Sequence, residues 1–323
     1  MRTFLTQMAT DSRLTLKNIF LWITIGFLVL IVILVNFFLP KEVTNLPITV
    51  VHYGLELPDH REAGSLAELE EMVRQDDNLM GVYEEHGELM VLVNHLSEKQ
   101  AATALATILD DNKNIPIQYS QTSEATEPPP FNKRMVPMMI SLEAVMTGIL
   151  LVGVMILTEK ERGITRAYRV SPAGTLGYVL AKTTLFSLVG MTYSFLIAVF
   201  TVGFNFHIGP FLLLSFLASA LFTLMGMAVS VFLQSLSTWL MLMAFLIGTN
   251  TLVLFAYIFP AISMDFMKVL PAYTMIFAYE RTMFGPTGFA GNGFGVLVMW
   301  TLGLFALCLL CVRFRLLRPH KGE

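Results

Sequence analysis

Six long apolar runs constrain the fold of this chain more than any other feature of its sequence. A helix needs about 20 apolar residues to cross the hydrocarbon core of a bilayer. The runs lack the alternation of apolar and polar residues that is typical of barrel strands, so they predict a helical bundle. The predicted spans are residues 19–39, 135–157, 183–204, 211–233, 238–259 and 294–312.

The composition agrees with a protein built for a bilayer. Of the 323 residues, 55% are hydrophobic and 14% are charged, whereas a soluble domain carries roughly 25% charged residues. The first apolar run is too long for a secretory signal peptide and is not followed by a small-residue cleavage site. We therefore expect a retained first helix at residues 19–39.

The distribution of lysine and arginine predicts the orientation in the membrane. Twelve of the 21 basic residues lie in short segments before the first run, between the second and third runs, and after the sixth. Short basic segments stay on the cytoplasmic side. We expect a multi-pass protein of the cytoplasmic (inner) membrane with both termini in the cytoplasm, lipid around it and no nucleic-acid partner.

Residues 40–134 are the only sizeable water-soluble part of the chain. Residues 41–134 contain 17 acidic and 7 basic residues. Their pattern predicts the order β-α-β-β-α-β, a small α/β extracytoplasmic domain with a linker. Ser65, followed three residues later by Glu68, predicts the start of its first helix. Four of the six histidines lie here, including His52. Their spacing matches no metal motif, so we expect solvated surface histidines and no metal site.

Two further segments flank the spans. Residues 1–18 mix apolar and charged residues, which fits either an amphipathic helix on the inner membrane surface or a solvated cytoplasmic tail. Residues 135–323 form a five-helix transmembrane region with a short cytoplasmic tail. Within it, residues 260–293 are moderately apolar but interrupted by three prolines, so we expect a re-entrant or interfacial segment.

The chain lacks the motifs of nucleotide-binding and hydrolytic enzymes. It has no GxxxxGK[ST] phosphate-binding loop, no GxSxG and no HExxH. We therefore expect no catalytic residues and no cofactor in this chain.

The densest charge lies in the connector of residues 158–182, TEKERGITRAYRVSPAGTLGYVLAK. Gly163 is a candidate helix breaker, and Pro172 stops any following helix. On a continuous helix Arg162, Arg166 and Arg169 share one face, where like charges repel. This face calls for an external counter-charge. The simpler alternative is retention by anionic lipids, for which the order of the charges is irrelevant.

The connector resembles the signature of ABC-2 type permeases, the membrane subunits of one class of ABC exporter. The family has an E-K/R-E-x-G-T string after the second span, then a proline and a lysine before the third. Here Ile164 separates the glycine from the threonine, which is a departure from that string. The plan of one span, an external insert and five more spans is also similar.

This resemblance implies a partner and a function. The connector would be a coupling segment that docks on a separate cytoplasmic ATPase, which binds ATP and Mg and hydrolyses the nucleotide. The chain would be one half of an export pathway, completed by a second copy or a related chain. We expect a hydrophobic or amphipathic small-molecule substrate. The implied coupling residues are Glu159, Lys160, Glu161, Arg162, Gly163, Arg166, Arg169 and Pro172.

Polar residues inside the predicted spans are candidates for the translocation pathway. These are Glu143, Tyr193, Thr249 and Asn250. For the hydroxyl and amide groups, interhelical hydrogen bonding is the simpler explanation. Glu143 suits a water-filled vestibule, a pair with Lys268 or Arg281, or proton transfer. Two alternative functions follow: a proton-coupled secondary transporter that uses Glu143, or a membrane-anchored sensor.

Overall fold

The computed structural model describes most of the chain in two compact units. One unit comprises Met1–Leu39 and Asn132–Glu323, and the other comprises Pro40–Phe131. The described residues are 2–40, 49–55, 61–75, 79–85, 88–93, 117–121, 129–165, 174–258, 267, 269–285 and 292–316.

The elements follow in chain order. They are α1 (Arg2–Leu16), α2 (Ile19–Ile33, continued by a π-helical turn at Leu34–Phe38), β1 (Thr49–Tyr53), β2 (Arg61–Glu62), α3 (Leu66–Gln75), β3 (Leu79–Glu85), β4 (Glu88–Val93), β5 (Ile117–Gln121), α4 (Phe131–Arg134), α5 (Val136–Glu161), α6 (Gly174–Thr201), α7 (Ile208–Ser230), α8 (Leu236–Ile258), α9 (Pro271–Phe284) and α10 (Asn292–Cys311, continued by a π-helical turn at Val312–Leu316).

Six helical segments among the described residues are long and apolar enough to cross a membrane. They are Ile19–Phe38, Phe131–Glu161, Gly174–Thr201, Ile208–Ser230, Leu236–Val253 and Gly293–Arg315. The predicted helical membrane fold with a small α/β domain between its first two spans is confirmed. The third helix begins at Gly174, well before the predicted start at Thr183. The predicted span begins after Lys182 because a charge interrupts the apolar pattern there. In the fold the residues from Gly174 to Lys182 are helical, and the Lys182 ammonium group pairs with two buried carboxylates.

The centre of the membrane unit is α5, which is buried along nearly its whole length by α6, α7, α8 and α9. Glycine lets α5 and α7 approach closely. A Cβ atom added at Gly148 would lie 2.9 Å from the Cβ of Phe222, and one at Gly226 would lie 2.9 Å from the Cα of Ile149. Such small-residue contacts are a common basis of helix packing in lipid.

The helix α9 lies inside the predicted re-entrant segment. Its 14 residues give a length of about 21 Å, too short to span a bilayer. Its Tyr279 is fully buried and extends a line of rings: the centroids of Phe206 and Phe211 are 4.8 Å apart, and those of Phe211 and Tyr279 are 5.5 Å apart. The helix is therefore part of the packed interior. The re-entrant path itself stays a prediction.

The second unit contains a five-stranded sheet in the order β2-β1-β3-β4-β5. Strand β1 pairs in parallel with β2 and β3, β3 pairs antiparallel with β4, and β4 pairs in parallel with β5. The core contains Val51, Leu69 and Val73. The two-residue strand β2 was not predicted, and the predicted second helix of this domain lies outside the described residues.

Two local predictions in this unit have different outcomes. Ser65 caps α3: its Oγ accepts from the N–H of Glu68 at 3.2 Å, and the N–H of Gly64 donates to Glu68 Oε2 at 2.9 Å. The helix therefore starts where the sequence predicts, although Glu68 binds the N–H of Gly64 rather than that of the capping residue Ser65. The expectation of solvated histidines is wrong for His52, which is buried because the centre of β1 is covered on both faces: Val50, Val51 and His52 are all buried. The other three histidines of the domain lie outside the described residues.

The close packing of α5 and α7 gives a testable prediction. We expect Gly226→Leu to lower the melting temperature of the purified protein in detergent, because the added side chain collides with the α5 backbone at Ile149. Overpacking of this kind costs about 1–3 kcal/mol. The matched control is Gly248→Leu in α8, where an added Cβ meets nothing within 4 Å. Equal melting temperatures for the two variants would contradict the packing argument.

Candidate functional site

A buried ionic cluster joins three helices at one end of the membrane unit. The Lys182 Nζ on α6 lies 2.5 Å from Glu159 Oε1 on α5 and 3.4 Å from Asp11 Oδ2 on α1. All three side chains are at most 1% exposed. Buried charges are tolerated only when they are paired and hydrogen-bonded, so this cluster fixes the ends of the three helices to one another.

Tyr178 completes the coordination of the Glu159 carboxylate. Its hydroxyl donates to Glu159 Oε2 at 2.8 Å, so both carboxylate oxygens have partners. Tyr178 and Lys182 are four residues apart and share one face of α6. The Lys182 Nζ also lies 4.8 Å from the centroid of the Tyr178 ring, within the range of a cation–π contact.

The next residue of the connector, Lys160, stabilises the end of a different helix. Its Nζ donates to the carbonyl oxygens of Ser230 at 3.0 Å, Val231 at 2.7 Å and Leu233 at 2.7 Å. The last carbonyls of a helix have no partner within the helix and carry partial negative charge. Lys160 therefore caps α7 and ties the end of α5 to it.

The chain leaves the helix directly after these contacts. Helix α5 ends at Glu161, and Gly163 takes a φ of +69°, a conformation that glycine adopts without strain. The side chains of Glu161 and Arg162 are exposed. Arg166, Arg169 and Pro172 lie outside the described residues.

The charged residues of the Glu159–Gly163 motif thus fall into two pairs that differ in their contacts and exposure. The buried Glu159 binds Lys182 and Tyr178 of α6, and the half-buried Lys160 binds the end of α7. The side chains of Glu161 and Arg162, which directly follow this attachment, are exposed.

A second buried carboxylate, Glu143, lies near the other end of α5. It is fully buried, and the Thr147 hydroxyl donates to its Oε1. Its Oε2 has no hydrogen-bond partner among the described residues. The predicted partner Arg281 is exposed, and Lys268 lies outside the described residues. A buried polar atom without a partner is costly and calls for an explanation in terms of function.

Further buried hydroxyls lie near Glu143. The Tyr279 hydroxyl on α9 lies close to the hydroxyls of Ser194 on α6 and Ser215 on α7, and Glu143 is near enough to act on it electrostatically. None of these three hydroxyls makes a hydrogen bond of good geometry with a described residue. Four helices thus bring polar groups together in the apolar interior, and we call Glu143, Ser194, Ser215 and Tyr279 the interior polar cluster.

The other three pathway candidates are placed differently. Tyr193 is buried and accepts a hydrogen bond from Thr24 Oγ1 at 3.4 Å, which links α6 to α2. Asn250 is buried but donates to the Leu246 carbonyl of its own helix at 2.7 Å. Thr249 is exposed and donates to the same carbonyl at 2.9 Å. The structure brings Tyr193 near Glu143, whereas Thr249 and Asn250 are engaged by their own backbone.

Sequence reasoning missed three members of the ionic cluster. Asp11, Tyr178 and Lys182 appeared to be parts of a charged tail and a connector, and their contacts are between segments far apart in the chain. The available signal was the spacing of Tyr178 and Lys182 by one helical turn, combined with an acidic residue at the end of the preceding span. That signal indicates that Tyr178 and Lys182 share one face of a helix, but it does not identify the residues that this face contacts.

The ionic cluster predicts a large effect of removing its ammonium group. Lys182→Met leaves the Glu159 and Asp11 carboxylates buried without this cation, and breaking such a pair costs about 3–5 kcal/mol. We expect a clear fall in melting temperature in detergent. Arg13→Met, which removes an exposed positive charge on α1, serves as the control and should change the melting temperature little. A Lys182→Met variant as stable as this control would exclude a stabilising role for the cluster.

Comparison with known proteins identifies the family. The profile described as ABC-2 family transporter protein matches residues 18–312, from the residue before the first span to the end of the last. No curated protein and no solved structure matches the chain. The match covers most of the sequence and agrees with the six spans and with the connector motif. The chain therefore belongs to the ABC-2 transporter family and is a membrane permease subunit.

Proposed function

We propose that this permease is one half of an ATP-driven exporter and couples to a separate ATPase subunit through its 158–182 connector. The observation that carries the proposal is the division of the connector motif. The buried Glu159 and the half-buried Lys160 are bound to neighbouring helices, and Glu161 and Arg162 are exposed directly beside them. A docking element needs such a combination of exposed charge and rigid attachment.

The proposal includes a second permease half and a cytoplasmic location of the connector. The distribution of basic residues supports this orientation, with both termini in the cytoplasm of an inner-membrane protein. ATP and Mg would bind only to the ATPase partner. The apolar surroundings of the interior polar cluster support a hydrophobic or amphipathic substrate.

The interior polar cluster gives Glu143 a role in the proposed pathway. Its Oε2 is free to accept a hydrogen bond from substrate or to take up a proton. The second possibility keeps one alternative open, in which a proton gradient rather than ATP drives transport. The two are distinguished in sealed vesicles that contain the purified permease alone, since only proton-driven transport works there and stops when the gradient is dissipated.

The docking role predicts that the order of the exposed charges matters. We expect the exchange Glu161→Arg with Arg162→Glu, which conserves net charge, to lower the amount of co-purified ATPase and to reduce ATP-driven transport severely. Each broken charge pair at a buried interface costs about 2–5 kcal/mol of binding. Co-purification from native membranes and ATP hydrolysis of the preparation measure the effect.

The control for this exchange is a similar exchange in the soluble unit. Arg61→Glu with Glu62→Arg swaps two neighbouring exposed charges in β2, and we expect unchanged co-purification and transport. Membrane insertion should be normal for both variants. Full coupling in the Glu161 and Arg162 exchange would favour simple retention by anionic lipids, for which charge order is irrelevant.

The Glu143 role predicts a variant that folds but transports poorly. Glu143→Gln retains the shape of the side chain and an acceptor for Thr147, but it cannot carry charge or release a proton. We expect a normal melting temperature and strongly reduced transport. Ser141→Ala on the same helix removes a buried hydroxyl that bonds only its own backbone at Pro137 and should transport normally. Wild-type transport by Glu143→Gln would assign this residue to structure alone.

A further inference from the structure

A partly enclosed cavity of about 330 Å³ lies where α1 ends, α2 begins and α5 ends. Its lining includes Leu14, Lys17, Ile19, Leu151, Met155 and Arg162. Arg162 of the connector motif and Glu159 of the ionic cluster contribute to this lining, but the other residues named here belong neither to the coupling residues nor to the interior polar cluster. Its walls are of two chemical kinds, basic and apolar.

The basic wall carries two positive charges without counter-charges. Lys17 and Arg162 are exposed, and neither forms an ion pair with a described residue. The acidic residue in the lining, Glu159, already binds Lys182 and Tyr178 with its two oxygens. The cavity also contains Asn18, the N-cap of α2. The positive end of that helix dipole further favours an anion.

The apolar wall marks the level at which the membrane begins. Leu151 and Met155 are buried side chains of the span Phe131–Glu161, and Ile19 is the first residue of the span Ile19–Phe38. The side chain of Ile19 is 68% exposed. The cavity therefore extends from charged residues just outside two spans to apolar residues just inside them.

We propose that this cavity binds an anionic phospholipid. Its phosphate lies between Lys17 and Arg162, and the glycerol with the first methylene groups covers Leu14, while the acyl chains leave along Ile19 into the bilayer. A free anion would neutralise the two charges but leave the accessible side chains of Leu14 and Ile19 uncovered. A neutral lipid would cover the apolar wall but leave the charges without a partner. An anionic lipid satisfies both.

The test uses the full-length protein purified in mild detergent and native mass spectrometry with added phosphatidylglycerol or phosphatidylcholine. We expect preferential retention of phosphatidylglycerol by the natural sequence. Lys17→Gln with Arg162→Gln should reduce that retention by about tenfold or more, from the usual contribution of two basic residues at a membrane surface. Retention equal to that of the natural sequence would overturn the proposal.

Two controls distinguish binding in this cavity from a general attraction of anionic lipids to basic residues. Arg13→Gln with Arg313→Gln removes two exposed charges that do not line the cavity, and it should retain phosphatidylglycerol fully. Thr158→Phe fills the cavity without changing charge and should lose retention. Equal losses in both double variants, or full retention in Thr158→Phe, would exclude a built site. Displacement by excess inorganic phosphate as effective as by short-chain phosphatidylglycerol would identify a site for a free anion and overturn the lipid assignment.

Discussion

An ammonium group held between two carboxylates, all three out of water, fixes one end of the membrane unit. Each of these charges alone would be costly to bury, so Asp11, Glu159 and Lys182 are stable only when α1, α5 and α6 are assembled. Helix α1 depends most on this contact because an isolated helix of 15 residues is marginal in water. The hydrogen bond of Lys160 to the end of α7 adds a fourth helix to the same assembly.

These contacts show how the short motif at residues 159–163 is attached to the neighbouring helices. Adjacent residues on a helix point in different directions, so Glu159 contacts Lys182 of α6, which in turn pairs with Asp11 of α1, while Lys160 contacts α7. The exposed side chains that follow are then attached to four helices rather than to a flexible loop. In the proposed coupling, a partner that moves Glu161 and Arg162 would therefore move these helix ends together.

Sequence predicted the parts of this protein that depend on local composition. Apolar run length identified the six spans, and Ser65 with Glu68 identified the start of α3. It did not identify contacts between distant segments: Lys182 was assigned to a connector because a charge interrupts an apolar pattern, although Asp11 and Glu159 compensate it in the fold. His52 was assigned to the surface for a similar reason, because composition does not show which face of a strand is covered.

The two buried glutamates of α5 show how the same residue type serves different purposes. They are 16 residues apart, which corresponds to about 24 Å along the helix. Glu159 has a partner at each oxygen, so a change in its surroundings can only cost stability. Glu143 has a partner at one oxygen and none among the described residues at the other, so a new contact there can lower its free energy. An unsatisfied group of this kind responds to a ligand, a proton or a rearrangement of α6, α7 and α9, whereas a satisfied one resists all three. In the proposed function, helix α5 therefore joins a fixed end that holds the connector to an end whose carboxylate can respond during transport.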